Sequence, residues 1–152
     1  MSDLYTVVPG SVFHVKQLSR TLRPAACATL RQFGADPRRA LHRAFIGSRT
    51  VRTALLDGFP AAMWGTTGPA LCDHAFVWVA LSQQAVRWPL AIVRRAREEL
   101  AGMSGGLRCL YATVAPDDER AMLFARSLGF APSAQDYEIP GLSLLEFAGG
   151  HP

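Results

Sequence analysis

The sequence predicts an α/β fold of the mixed-sheet (α+β) kind, with helices on both faces and the element order β-ααα-ββ-β-α-β-α-ββ. Three observations predict it. Three short helical segments, each with its own start and stop residues, follow a first short strand. A tight hairpin comes next, and two strand–helix units and a final strand pair complete the chain. The 152 residues suit one domain over 1–152 with a buried core.

Turn and capping residues mark the elements of the first third of the chain. Leu4–Val8 predicts a strand that ends at Pro9-Gly10. Ser11 is a candidate N-cap for the first helix. The apolar stripe of that helix is Val12, Val15, Leu18 and Leu22. Pro24 fits the first turn of a second helix, and Asp36-Pro37 gives the N-cap and N1 signals of a third.

A hairpin and a strand-to-helix joint occupy the middle of the chain. Thr50–Leu56 and Phe59–Gly65 flank Asp57-Gly58, a pair that tolerates the positive φ angles of a tight type I′ turn. An apolar strand, Phe76–Leu81, then leads through Ser82-Gln83-Gln84 into an amphipathic helix. Because helix N-termini carry unpaired N–H groups and a favourable dipole, this joint is a candidate anion site.

The last third of the chain predicts a strand, a helix and a strand pair. Leu107–Val114 is the strand, and Pro116 opens the helix that Gly129 ends. The final two strands are expected around Asp136–Ile139 and at Ser143–Phe147.

Composition excludes several classes of protein. The net charge is +4, and 15 of the 16 basic residues are arginines spread along helices without a nucleic-acid motif. We therefore expect no sequence-specific nucleic acid partner. No apolar run approaches the ~20 residues of a membrane span, and the N-terminus does not resemble a signal peptide. Three widely spaced cysteines, Cys27, Cys72 and Cys109, predict free thiols and no metal site.

Two short stretches at the last helix stand at a recognisable spacing, Asp118-Glu119-Arg120-Ala121 and Ser127-Leu128-Gly129-Phe130. They resemble the C-terminal motif of the GNAT acyltransferase family. Two further stretches resemble a branch carried by tailed bacteriophages, whose members are described as acetyltransferase-like or internal virion proteins. These stretches are Asp36-Pro37-x-x-Ala40-Leu41 and Leu56–Gly65. The likeness runs from about His14 to Phe130.

The resemblance implies where acetyl-CoA would bind if the chain is active. The strand backbone at Val79 and Leu81 would pair with the pantetheine arm, and Gln83, Gln84 and Arg87 would lie near the pyrophosphate. The family's loop needs small residues at two positions so that phosphate can approach the amides. With Gln83 in the first position of the motif, Val86 and Trp88 replace these glycines, and with Gln84 in that position Arg87 and Pro89 replace them. We therefore expect a filled site, with Trp88 in the pyrophosphate space, and no bound cofactor.

The catalytic groups that the resemblance implies are sparse. The tyrosine that protonates the leaving thiolate in many GNAT enzymes corresponds here to Ala125, which has no proton to give. Tyr111 and Asp118 are the candidate catalytic residues, and Asp118 equally fits a helix-stabilising acid. The possible bases His42, Asp73 and His74 form no recognisable constellation in the sequence.

Three functions follow as hypotheses. The first is a catalytically degenerate GNAT-like protein that contacts other virion proteins in a multi-copy assembly. We expect such a protein in the virion, and in the host cytoplasm during assembly. The second is an active acetyl-CoA-dependent N-acetyltransferase with an altered loop. The third is a small-ligand or peptide-binding module on the same scaffold. Fold alone does not choose among them.

Overall fold

The computed structural model describes residues 5–32, 36–68, 73–87, 89–103, 105, 107–133 and 142–147. At positions 86, 87, 89 and 92 the description is of the backbone alone. The chain groups into two compact units. Unit 1 combines Met1–Thr67 with Trp78–Ala91, and unit 2 combines Gly68–Val77 with Ile92–Pro152. The single domain expected over residues 1–152 stays a prediction.

The elements follow the predicted order. The strands are β1 (Thr6–Pro9), β2 (Thr50–Leu56), β3 (Phe59–Thr67), β4 (His74–Leu81), β5 (Cys109–Val114), β6 (Phe130–Pro132) and β7 (Ser143–Phe147). The helices are α1 (Val12–Ser19), α2 (Pro24–Gln32), α3 (Pro37–Gly47), α4 (Pro89–Met103) and α5 (Glu119–Ser127). A 3-10 helix, Gln84–Arg87, lies between β4 and α4.

The strands form the predicted mixed sheet, in the order β1-β2-β3-β4-β5-β7-β6. The β4–β5 pair is parallel, whereas β1–β2, β2–β3, β5–β7 and β6–β7 are antiparallel. Besides β5, β7 pairs with β6 (Phe130–Pro132), the strand that follows α5. The strand expected around Asp136–Ile139 lies outside the described residues.

Local signals explain where the elements begin and turn. The Ser11 side chain accepts a hydrogen bond from the His14 N–H, and the Asp36 carboxylate accepts one from the Arg39 N–H, so both predicted N-caps are confirmed. Asp57 and Gly58 have φ angles of 51° and 83°, as the tight hairpin between β2 and β3 requires.

Three helix boundaries differ from the prediction. The helix expected directly after Ser82-Gln83-Gln84 begins at Pro89, after the 3-10 helix Gln84–Arg87. The apolar stripe expected for α1 included Leu22, but α1 ends at Ser19 and Leu22 lies in the linker before α2. Pro116 was expected to open α5, but that helix starts at Glu119 with Asp118 as its N-cap. An N-cap carboxylate satisfies an orphan N–H group, which proline at the first position does not do, and this favours the later start.

Unit 1 has its core between helices α1 and α3 and strands β3 and β4. Its buried members are Val15, Leu18, Leu22, Leu41, Met63 and Ala80. Leu18 and Met63 are fully buried. Leu22 thus contributes to the core from the linker, although the helix does not carry it.

Unit 2 has a separate core beneath helices α4 and α5. Its buried members are Ala75, Val77, Leu100, Leu110, Ala125, Leu128, Phe130 and Leu145. The Arg97 guanidinium on α4 donates to the Ser127 carbonyl at the end of α5, at 3.0 and 2.7 Å. This contact satisfies a carbonyl that the helix leaves without an internal donor.

His14 on α1 makes the stability of the fold depend on pH. Its Nδ1 atom is buried and has no hydrogen-bond partner among the described residues, and burial lowers the pKa of His14 below 6.5. The folded state therefore binds fewer protons than the unfolded chain, so stability rises with pH. The stability that neutral His14 contributes to the folded state is fully present above the pKa of the unfolded chain. It is lost as pH falls through 6.5 toward the lower pKa of the folded state.

We therefore expect the free energy of unfolding to drop on going from about pH 8 to about pH 5, and to drop less in a His14→Gln variant. Urea unfolding of both proteins across this range measures the difference. Parallel pH profiles for the two proteins would contradict this role of His14.

Candidate functional site

The joint after β4 is anchored by a buried serine. Ser82 is 1% exposed, and its N–H donates to the Ala61 carbonyl of β3 at 2.8 Å. The Ser82 hydroxyl oxygen accepts from the Ala85 N–H at 3.2 Å, and the Ser82 carbonyl accepts from the same N–H at 3.2 Å. Ser82 therefore caps the first turn of the 3-10 helix through these two hydrogen bonds.

A second segment of the chain pairs with the joint. The linker between α1 and α2 forms an antiparallel bridge, Leu22 with Ser82. The Arg23 N–H donates to the Leu81 carbonyl at 3.2 Å, and the Gln83 N–H donates to the Thr21 carbonyl at 2.9 Å. We call Thr21–Arg23 the linker strand, because it pairs with the joint as a short strand would.

These contacts determine which backbone N–H groups of the joint are available to bind an anion. A pyrophosphate loop works because several backbone N–H groups have no protein acceptor and point at the phosphate. Here the N–H groups of Ser82, Gln83 and Ala85 each donate to an acceptor within the chain. These amides do not fit the pyrophosphate of acetyl-CoA as the joint stands.

The five candidate cofactor residues all lie on β4 and the joint. They differ in which of their backbone and side-chain groups are exposed and which are already hydrogen-bonded. Val79 is 44% exposed on β4. The Leu81 carbonyl and the Gln83 N–H are engaged by the linker strand. The side chains of Gln83 and Gln84 are exposed. The Arg87 backbone ends the 3-10 helix. Trp88, expected in the pyrophosphate space, lies outside the described residues.

A small cavity opens at the same joint. It has a volume of about 270 Å³ and is lined by Arg20, Thr21, Gln83 and Gln84. Arg20 was not singled out from the sequence, because it becomes a neighbour of the joint only through the linker strand. One guanidinium and two amide side chains can hydrogen-bond an anion, but they do not form a cradle of backbone amides.

Tyr111, a candidate catalytic acid, lies on β5 opposite Phe76 near the start of β4. Their ring centroids are 5.6 Å apart. A side-chain hydrogen bond with Cys109, together with burial, raises the pKa of Tyr111. The phenol therefore keeps its proton at neutral pH. Its position in the β4–β5 ladder fits packing on a sheet surface as well as catalysis.

Asp118, the second candidate, caps a helix. Its carboxylate accepts a hydrogen bond from the Ala121 N–H at 3.2 Å. An acceptor of this kind satisfies one of the orphan donors at the start of α5, which explains the residue without catalysis.

The possible bases do not converge in the described residues. His74 Nδ1 lies 2.8 Å from the Asp73 carboxylate, and both side chains are about half exposed. His42 lies on α3 and lines a different cavity.

Within the described part of the chain, no three His, Cys, Asp or Glu side chains group as metal ligands would. Cys27 and Cys109 are free thiols, and Cys72 lies outside the described residues. None of the described helices is long and apolar enough to cross a bilayer.

The sequence matches no protein-family model and no curated protein. The fold, in contrast, is similar to many solved structures. The GNAT domain of PAT from S. lividans has a TM-score of 0.71 and 20% identity, over 94% of this chain and 89% of that chain. An acetyltransferase from Thermus thermophilus has a TM-score of 0.67 and 20% identity, over 96% of this chain and 98% of that chain.

A spermidine N-acetyltransferase chimera from Vibrio cholerae has a TM-score of 0.65 at 9% identity, over 95% of each chain. At these identities the likeness concerns the fold and not the chemistry. The predicted fold class is confirmed: this chain has the mixed-sheet fold of the GNAT acetyltransferases.

Proposed function

We propose that this chain is a catalytically degenerate protein of GNAT fold, which works through contacts with other proteins rather than by acyl transfer. One observation carries the proposal. The joint that would hold the cofactor's pyrophosphate uses the N–H groups of Ser82, Gln83 and Ala85 inside the chain. Sequence adds Val86 and Trp88 at the positions where the resembled loop has glycine.

Energetics supports a closed joint. Freeing the three amides breaks hydrogen bonds worth about 0.5–1.5 kcal/mol each in net stability. It also separates the linker strand from the joint and exposes Ser82, which is buried. A pyrophosphate would have to offset these costs before binding with any net affinity.

The resemblance to the phage branch supports a role in a particle. On this proposal the chain is a virion component that contacts other virion proteins in many copies. It would occupy the host cytoplasm during assembly. The exposed arginines on α3 and α4, among them Arg38, Arg39 and Arg94, are suited to acidic partner surfaces.

An active acetyl-CoA-dependent N-acetyltransferase is the second candidate. Several neighbours of similar fold are named as acetyltransferases. The specific support for this candidate is the described β4–β5 pairing, which covers three residue pairs and ends at Phe76–Tyr111. In GNAT enzymes the corresponding strand leaves its neighbour, and its backbone pairs with the pantetheine arm.

Calorimetric titration of the chain with acetyl-CoA and with CoA distinguishes the two candidates. We expect no measurable heat at millimolar ligand. Micromolar binding that disappears in an Arg87→Ala variant, but persists in the matched Arg94→Ala variant on the exposed face of α4, would establish the second candidate instead. Both substitutions remove one arginine, so the control corrects for the change in net charge.

The proposed role in a particle is tested by a separate experiment. Particles purified from a producing host are washed at high salt, and their proteins are identified by mass spectrometry. The chain is expected to stay with the washed particles. Its absence from them would overturn the particle role and would leave the closed joint untouched.

A further inference from the structure

A second cavity lies in unit 1 between the first turns of α1 and α3. Its volume is about 320 Å³. The residues that line it are Val12, Val15, Lys16, Asp36, Arg38, Arg39 and His42. We call it the α1–α3 pocket. It contains none of the residues of the joint after β4, so it is not part of the site described above.

The walls of the α1–α3 pocket carry an excess of positive charge. Lys16, Arg38 and Arg39 are exposed, and within the described part of the chain none of their side chains has an ion-pair partner. Asp36 is the one carboxylate among the lining residues. It is already used as the N-cap of α3, where it accepts from the Arg39 N–H at 3.3 Å. Three cations therefore face this cavity with one carboxylate beside them, which favours an anionic occupant.

The same pocket also has an apolar side. Val15 forms a buried wall, and Val12 is 55% exposed. Outside the residues that line the pocket, Phe13 on α1 is 65% exposed and Ile46 on α3 is 67% exposed. Large apolar side chains exposed on adjacent helices beside a polar rim are typical of a protein contact surface.

We infer that the α1–α3 pocket binds an acidic segment of another protein that also carries apolar side chains. The acidic groups would pair with Lys16, Arg38 and Arg39, and the apolar groups would cover the exposed Val12 at the valine wall. This inference deepens the proposed function, because it rests on the chain's working through protein contacts.

The pocket suits a peptide better than a nucleic acid. A nucleic acid gains most of its affinity from phosphates that follow a stripe of basic residues, with bases stacked on aromatic rings. Here the cations converge on one cavity that has a carboxylate in its wall and valines on the other side. A segment with alternating carboxylates and apolar side chains matches both features.

Fluorescence anisotropy with a labelled synthetic peptide of alternating glutamate, leucine, aspartate and phenylalanine tests the inference. We expect saturable binding that weakens as salt is raised, since exposed charges are screened over about 10 Å at 0.1 M salt. An Arg38→Gln/Arg39→Gln variant should bind about tenfold more weakly, because it loses two charge-assisted contacts. The double variant Arg43→Gln/Arg94→Gln is the matched control, since it also removes two exposed arginines and neither of them lines the pocket. It should bind within about twofold of the unmodified chain.

Three further measurements keep the test decisive. Lys16→Gln gives a second loss of affinity from α1, which separates a pocket effect from a local change in α3. A peptide with serine in place of leucine and phenylalanine should bind more weakly, as the apolar wall requires. An oligonucleotide of equal charge should bind more weakly than the acidic peptide.

The inference is overturned if the acidic peptide does not bind, or if Arg38→Gln/Arg39→Gln binds as well as Arg43→Gln/Arg94→Gln. Tighter binding of the oligonucleotide would overturn it as well, and would assign the pocket to nucleic acid. These outcomes are independent of the acetyl-CoA titration. Binding of acetyl-CoA would overturn the proposed function, whereas loss of peptide binding alone would overturn only the assignment of this pocket.

Discussion

Replacing Gly65 by alanine is expected to lower the free energy of unfolding by about 3 kcal/mol, the sum of overpacking and a weakened, partly buried hydrogen bond. A Cβ atom at this position of β3 would lie 2.8 Å from the Thr50 carbonyl oxygen and 2.8 Å from Trp78 Nε1. The backbone oxygen cannot rotate away. The added methyl would also disturb the Trp78 indole, which donates to the Ser48 hydroxyl at 2.7 Å. Alanine gains only about 0.4–1 kcal/mol from the lower entropy of its unfolded chain, so the steric cost prevails.

Urea unfolding followed by tryptophan fluorescence measures this effect. Gly47→Ala is the control, because a Cβ atom at the last residue of α3 meets nothing within 4 Å. Alanine there should leave stability unchanged or raise it by up to about 1 kcal/mol. Equal stability of the Gly65→Ala and Gly47→Ala proteins would show that β3 accommodates the methyl, and would refute the prediction.

Leu18→Ala should remove about 3–4 kcal/mol of stability, as large-to-small changes at fully buried leucines do. Leu18 is 0% exposed at the centre of the unit 1 core, among Val15, Leu41 and Met63. Truncation leaves a cavity that these neighbours fill only in part, so lost contacts add to the lost transfer free energy. The effect amounts to a large share of the stability of a typical domain.

Leu123→Ala supplies the comparison for this second prediction. Leu123 is 64% exposed on α5, so its truncation should change stability by less than about 0.5 kcal/mol. Thermal and urea unfolding of both variants give the two differences. A loss below about 1 kcal/mol for Leu18→Ala would mean that the α1–β3 contact is not part of the folded core.

The capping and turn residues allowed most of the fold to be predicted. Ser11, Asp36-Pro37 and Asp57-Gly58 each act on backbone groups within three residues of themselves, so their effect can be inferred without knowing the rest of the fold. Periodicity then supplied the buried faces, such as Leu18 on α1 and Leu100 on α4. Element order followed, and with it the fold class.

Competition between signals explains where the prediction was wrong. Pro116 and Asp118 both indicate a helix start, but only the Asp118 carboxylate can accept a hydrogen bond from an orphan N–H group. The structure assigns the cap to Asp118, whose carboxylate accepts from the Ala121 N–H. Leu22 continues the apolar period of α1 but follows its end, since the chain turns after Ser19 to reach the joint.

Whether the amides of the joint after β4 are hydrogen-bonded within the chain is decided by the tertiary structure. The sequence contains Ser82 and Gln83, but the acceptors of their N–H groups, Ala61 and Thr21, lie far away along the chain. Likewise Lys16 and Arg38 are visible as isolated charges, and only the packing of α1 on α3 brings them to one cavity. Local backbone preferences are therefore determined by the sequence directly, because they act between neighbouring residues. Long-range pairing decides which N–H groups donate within the chain and which charged side chains meet at one cavity. No local sequence pattern encodes such pairing.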